Sequence, residues 1–285
     1  MILVLGSSGQ VASELKRVSG VVAIGRPDID FCNLSSISDV IERKRPLAVI
    51  NAAAYTAVDA AESEADAAQL INASAPCEVA RVCRDLDIPL VHLSTDYVFD
   101  GIKTRPYLPY DDCNPQGVYG ASKRAGEEAI MASGCQYVIL RTSWVFSNHG
   151  LNFVKTMLRL GSERKELSVV IDQIGGPTYA GAIAKCCVAI AEKMVADTNC
   201  IGIFHFSGTP AVSWFEFAQH IFNSSGLDVQ LRPIATDAYP TKVCRPHYAV
   251  LDCQTTFDTF GVAQPLWKDD LMTVLKDLGE LNGEA

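Results

Sequence analysis

Ile2-Leu-Val-Leu-Gly6-Ser-Ser-Gly9-Gln-Val-Ala12 is the stretch whose reading decides the fold. Four apolar residues in a row suit a strand buried on both faces. Glycines follow, and helical spacing runs from Val11 to Val18. A strand, a glycine-rich turn and a helix together seat a pyrophosphate. Glycine lets the backbone come close, while the helix N-terminus offers free N–H groups and the positive end of its dipole. The spacing is GxxGxxA rather than GxGxxG, but Ala12 is still small enough for helix–strand packing. A plain strand-to-helix turn also often carries two glycines; the position directly after a strand favours the dinucleotide.

Further along, short apolar runs alternate with helical segments. Val21–Ile24, Leu47–Asn51, Leu90–Leu93 and Tyr137–Leu140 read as strands, and 36–45 and 65–86 as helices, the second interrupted at Pro76. Continuously apolar strands separated by helices predict an α/β fold: a Rossmann-like, doubly wound parallel sheet covered on both faces. Beyond it, 152–160, 180–195, 214–222 and 267–281 read as helices, and 167–171 and 203–206 as strands. The proline-containing stretch 232–251 reads as a loop able to line a pocket. The expected division is a dinucleotide domain over 1–146 and 167–210, with a smaller, discontinuous substrate-binding region over 147–166 and 211–285.

Composition narrows the function. The 285 residues are 48% hydrophobic and 20% charged, a globular balance. A net charge of -9 with no basic run argues against a nucleic-acid partner. No apolar run reaches membrane-spanning length, and Met1 leads into Ile2–Leu5 without a basic segment, so neither a membrane span nor a signal peptide is expected. The ten cysteines show no CxxC pattern. Cys186 and Cys187 read as core, no metal site is expected, and unpatterned thiols fit a reducing cytoplasm.

Candidate ligand residues fall at strand C-terminal ends, where ligands sit in such sheets. Arg26 follows the second strand. An acid there would hold a ribose 2′-hydroxyl, whereas arginine suits a 2′-phosphate. Asn33-Leu34 could flank the adenine. Ala52-Ala-Ala54-Tyr55-Thr56 is small enough for a cofactor to lie against its backbone, although three alanines packing a helix are the plainer explanation. Leu93-Ser94-Thr95-Asp96-Tyr97 closes the fourth strand. Tyr119-Gly-Ala-Ser-Lys123 then opens a run of helix formers, which puts Tyr119 and Lys123 on one face. A free phenol has a pKa of about 10, and a lysine cation one turn away would bring it into range for proton transfer. Such a pair alone also arises by chance on surface helices.

Together these segments resemble the extended short-chain dehydrogenase/reductases and, within them, the dTDP-4-dehydrorhamnose reductase family. The matching residues are Gly6-x-x-Gly9-Gln10-Val11, Asn51-Ala-Ala-Ala54-Tyr55-Thr56-Ala-Val-Asp59 with Glu62, Ser94-Thr-Asp-Tyr-Val-Phe99-x-Gly101, Tyr119-Gly-x-x-Lys123, Arg141-Thr-Ser-Trp144-Val145, Asp172-Gln-x-Gly-x-Pro-Thr178 and Arg245-Pro246. They span roughly residues 1 to 250.

The resemblance implies NADPH or NADH, with Gly6, Gly9, Gln10, Val11, Arg26, Asn33, Leu34, Ala54, Tyr55, Thr56, Leu93, Tyr119 and Lys123 on the cofactor side. It also implies a catalytic Thr95–Tyr119–Lys123 set and a dTDP-sugar pocket touched by Thr95, Asp96, Tyr119, Trp144 and Arg245. Reduction of dTDP-4-dehydro-L-rhamnose to dTDP-L-rhamnose is the expected activity. Related dehydratases carry Thr-Asp-Glu where this chain has Thr95-Asp96-Tyr97, which favours simple carbonyl reduction.

Four positions depart from the family: Ala12 for a third glycine, Tyr55 for a common histidine, Gly25-Arg26 for an acidic strand end, and Ala249 for a frequent serine. Monomer and homodimer both stay open, as does a Mg²⁺ at a dimer contact. The alternative is a dinucleotide-binding regulatory subunit resembling the methionine adenosyltransferase β subunit.

Overall fold

The computed structural model describes residues 1–282. Six strands build the central sheet: β1 Ile2–Leu5, β2 Val21–Ile24, β3 Ala48–Asn51, β4 Leu90–Thr95, β5 Tyr137–Thr142 and β6 Gly202–His205. Their order is β6-β5-β4-β3-β1-β2, with every neighbour parallel. Strand side chains alternate between two cores. Leu3 and Leu5 face the Leu34–Lys44 and Ala75–Asp85 helices. Ile2 and Val4 face the Gln10–Leu15 and Ala180–Ala196 helices, where Cys186 and Cys187 are fully buried.

The chain leaves β1 toward β2, then crosses back to β3 on the other side of β1. That reversal is a switch point, where a crevice opens beyond the strand ends. Gly6 sits in it at φ 108°, a backbone that side chains rarely adopt. A Cβ there would stand 3.2 Å from the Ala53 nitrogen.

The segment expected as one helix over 65–86 forms in three parts: Ala65–Gln69, a π-helical turn Leu70–Ser74, and Ala75–Asp85. Pro76 lies in the first turn of the last part, directly after the π-helical turn. The disruption falls ahead of the proline, and π turns of this kind often accompany functional sites.

A separate core gathers Phe146, Val154, Leu158, Leu167, Phe217, Ile221, Trp267 and Leu271. The strand expected at 167–171 forms as Glu166–Val170 but pairs with Gln230–Ile234, outside the six-stranded sheet. Ile174–Gly175 likewise pairs with Val212–Ser213. The 232–251 segment, expected as loop, therefore begins in a strand. The remaining helices form close to expectation, at Phe153–Glu163, Trp214–Ser225 and Trp267–Leu278. Among the described residues no helix is long and apolar enough to cross a membrane.

Candidate active site

The Val118–Ala132 helix carries Tyr119 and Lys123 on its buried side. Its entry is held by Glu62, whose Oε1 accepts the free Val118 N–H at 2.8 Å. Gly120 lets it lie against the 96–98 turn, since a Cβ there would come within 2.2 Å of the Tyr97 carbonyl oxygen. Asn72, in the π-helical turn, accepts the Tyr55 N–H at 2.8 Å and donates to the Tyr55 carbonyl and the Ser122 hydroxyl, each at 3.0 Å. The helix is thereby tied to the loop after β3.

Thr95 ends β4 and is buried with Tyr119 and Lys123. Its Oγ1 accepts the Tyr97 N–H at 3.2 Å and lies 2.9 Å from Asp96 Oδ1. Burial pushes the Tyr119 phenol above its ordinary range, the Thr95 hydroxyl partly offsetting this. The expectation that Lys123 lowers that phenol is not met, because burial dominates and the lysine is not among the groups acting on it. Lys123 Nζ is spent on the Leu93 carbonyl at 2.6 Å and faces His92 Nε2 at 3.3 Å. Burial pulls the lysine down to about 8, while Glu127 one turn on opposes the drop.

Asp96 is 4% exposed, and burial lifts its carboxyl to about 7. Once protonated it can donate to Thr95 Oγ1, which frees the threonine proton for another acceptor. Because the folded state binds this proton more tightly than the unfolded chain, stability is lost as pH rises from about 4 through 7. Asp96→Asn is expected to match the wild type near pH 4 and to exceed it at pH 8 by on the order of 2–4 kcal/mol. Urea unfolding at the two pH values measures this; an equal offset at both would contradict it.

A cavity of about 890 Å³ opens beside these groups, lined by Asp59, Asp96, Tyr97, Trp144, Trp214 and Arg245 among others. Trp144 has a left-handed backbone, φ 47°, unusual for a bulky residue, and stacks on Trp214 with ring centroids 3.4 Å apart. Arg245 pairs with Asp59. One atom of each partner, Arg245 Nη1 and Asp59 Oδ1, is buried without a hydrogen-bond partner, as is Asp96 Oδ2. Unpaired buried polar atoms are costly, and three of them belong to residues that line one cavity, which marks this wall as polar.

The remaining expected residues divide. Gly6 and the half-buried Ala54 lie at the crevice, and Gly9 has open space where a side chain would be. Arg26 and Thr56 are exposed, and Gly25 packs against Ser7, so the tip of β2 meets the glycine turn. Asn33 stands at the N-cap position of the next helix without a side-chain capping bond and accepts from the Ser35 hydroxyl at 2.8 Å, while Leu34 packs against the core. Three side chains are engaged elsewhere. Val11 is core. Gln10 bridges to the Val145 carbonyl, Ser147 and Asn152. The Tyr55 hydroxyl donates to Glu64 at 2.9 Å. These three can offer a ligand only backbone or ring edge, because packing and internal hydrogen bonds already use their side-chain functions.

Sequence reading passed over Trp214 and Asp59 as pocket residues. Asp59 lay within a quoted motif, and nothing in the sequence joins it to Arg245, 186 positions away. Trp214 follows a Ser213–Glu216 capping box that signals a helix start but says nothing of a pocket. Among the described residues no three or more His, Cys, Asp or Glu side chains are placed to hold a metal ion.

The family model described as RmlD substrate binding domain matches residues 1–280. A dTDP-4-dehydrorhamnose reductase of Sinorhizobium fredii is 39% identical, covering 94% of each chain. A dTDP-4-dehydrorhamnose reductase of Bacillus anthracis, solved in complex with NADP, superposes with a TM-score of 0.89 at 36% identity, covering 97% of this chain and 98% of its own. A Clostridium acetobutylicum structure described as an ortholog of that reductase gives 0.91 at 36% identity, covering 98% and 99%.

Proposed function

The chain belongs to the RmlD substrate binding domain family, and from that membership we propose that it reduces dTDP-4-dehydro-L-rhamnose to dTDP-L-rhamnose with NADPH. The observation that carries this is the buried Thr95–Tyr119–Lys123 set beside a cavity lined by Asp59, Asp96 and Arg245, three polar residues that each keep a buried atom unpaired.

The switch-point crevice fits a dinucleotide. Gly6 brings the backbone close, Gly9 leaves space, and the loop after β3 lines the other wall. NADPH, when bound, supplies the hydride. Tyr119, protonated across neutral pH, hands its proton to the C4 oxygen. Thr95 donates to the same oxygen and fixes the carbonyl's orientation. Lys123, one turn along the helix from Tyr119, would hold the nicotinamide ribose. Asp96, Trp144 and Arg245 contact the sugar nucleotide, Arg245 through the fork that suits diphosphate oxygens.

The dinucleotide occupies the six-stranded domain, expected over 1–146 and 167–210, and the sugar nucleotide the region over 147–166 and 211–285. The strand partners of 166–175 lie within 211–285, which favours counting that stretch with the sugar side.

NADPH oxidation by the purified chain with dTDP-4-dehydro-L-rhamnose tests the reading. Absence of turnover together with tight dinucleotide binding would favour the regulatory-subunit alternative.

Cofactor choice gives a second check. The exposed Arg26 beside the glycine turn pairs with the 2′-phosphate. NADPH is expected to exceed NADH by about tenfold in kcat/KM, about 1.4 kcal/mol, a margin limited by salt screening. Arg26→Ala should remove most of that preference and leave NADH kinetics nearly unchanged. Equal use of both cofactors by the wild type would reduce Arg26 to a surface residue.

A further inference from the structure

His92 is fully buried on β4, next to the catalytic lysine but outside the reacting set. Its neighbours determine where its proton sits. The Ala53 backbone N–H, a fixed donor, points at Asn51 Oδ1 at 3.2 Å. The Asn51 amide nitrogen, also a donor, therefore faces His92 Nδ1 at 3.1 Å. Nδ1 must accept, so in the neutral imidazole the proton belongs on Nε2. That nitrogen lies 3.3 Å from Lys123 Nζ. A neutral amine can accept the Nε2–H, but an ammonium has no lone pair and would set donor against donor.

We propose that His92 is a positioning residue for Lys123: its tautomer, set from the Ala53 N–H through Asn51, favours the neutral amine and must invert when the amine takes a proton. Inversion moves the imidazole proton from Nε2 to Nδ1 and turns the Asn51 amide, so that Ala53 loses its acceptor. The charge of Lys123 is thereby coupled to the loop that walls the dinucleotide crevice at Gly6.

The other groups around the lysine do not supply this coupling. Glu127, four residues on, favours the ammonium by charge and is itself bound to Arg141 and Arg124. Tyr119, four residues back, stays protonated, and Asp96 lines the cavity and acts on Tyr119, while Glu127 is the carboxylate that acts on Lys123. His92 itself does not become imidazolium near neutral pH, because burial and Lys123 push it well below its ordinary value. A tautomer change is the one response left to it.

The test is ¹⁵N NMR of the full-length chain labelled at histidine, without cofactor or substrate, from pH 6 to 10. At high pH the His92 signals should show a proton on Nε2 and none on Nδ1. The pattern should invert as pH falls through about 8, where Lys123 protonates. A proton fixed on one nitrogen across the whole range would overturn the proposal.

His92→Gln assigns the signals among the five histidines and gives an independent readout. A glutamine can turn its oxygen toward the ammonium, so the alkaline limb of kcat/KM should move up by about one pH unit. An unmoved limb would count against the coupling, and the wild-type spectrum stands even where this variant fails to fold. The inference rests on the role of Lys123 proposed above, but the spectrum needs no turnover. Inversion in a chain that does not reduce the sugar would fault the reductase reading alone, and a fixed tautomer in an active chain would fault this one alone.

Discussion

Tyr119→Phe is expected to lower turnover by about a hundredfold or more, the scale of a lost acid catalyst, while leaving the unfolding midpoint and NADPH affinity near wild type. Only the hydroxyl is removed, and the ring keeps its edge-on contact with Tyr97, centroids 5.5 Å apart. Burial holds the phenol protonated well past neutral pH, which is the form a reduction consumes. The alkaline fall of kcat/KM in the wild type should accordingly follow Lys123, near pH 8, and not Tyr119. Steady-state kinetics across pH, beside a thermal melt, check both statements. Near-normal turnover in the phenylalanine variant would remove Tyr119 from the mechanism.

Glu127→Gln should cost about 3–5 kcal/mol of stability, the usual result of stranding a buried charge. Glu127 is fully buried and accepts from Arg141 Nε at 2.8 Å and Nη2 at 2.7 Å, from the Ser94 hydroxyl at 2.6 Å and from Arg124 at 3.1 Å. Arg141 is as deeply buried, so neutralising its partner leaves a cation without compensation. These bonds, Arg141 foremost, hold the Glu127 carboxyl below its ordinary range against the pull of burial. A carboxyl depressed in this way contributes stability above the unfolded value near 4.3 that is lost as pH falls through the folded value. The wild-type advantage should therefore shrink in acid.

Replacing Glu127 and Arg141 together by methionine should cost much less than the single change, because neither charge is then left unpaired. Urea unfolding of the three chains decides it; a single-variant loss under about 1 kcal/mol would mean the pair is not the anchor it looks to be. The same substitution removes the charge that supports the Lys123 ammonium. Its alkaline limb should move down, opposite to that of His92→Gln.

Local pattern and short-range chemistry in the sequence were enough for the sheet and the helix of Tyr119 and Lys123. Val21–Ile24 forms as read, and Tyr119 and Lys123 share the helix their spacing required. Continuous apolar runs suit burial on both faces, so a parallel sheet wrapped by helices was the expectation; the edge strand Val21–Ile24 joins it with Val22 left exposed. Roles that depend on what a side chain meets were decided by the tertiary structure. Gln10 sits in a dinucleotide motif, yet its amide is committed to Ser147 and Asn152, more than a hundred residues away. Arg245 meets Asp59 across 186 positions of sequence. Trp214, which opens a helix packed in the core apart from the main sheet, stacks on Trp144, two residues past the end of β5. The strand at 166–170 left the main sheet for a partner at 230–234, a choice made by long-range pairing that its own apolar pattern could not express. The lowered lysine and the raised carboxyl of Asp96 come from burial and fixed neighbours, neither of which exists until the chain has closed around them.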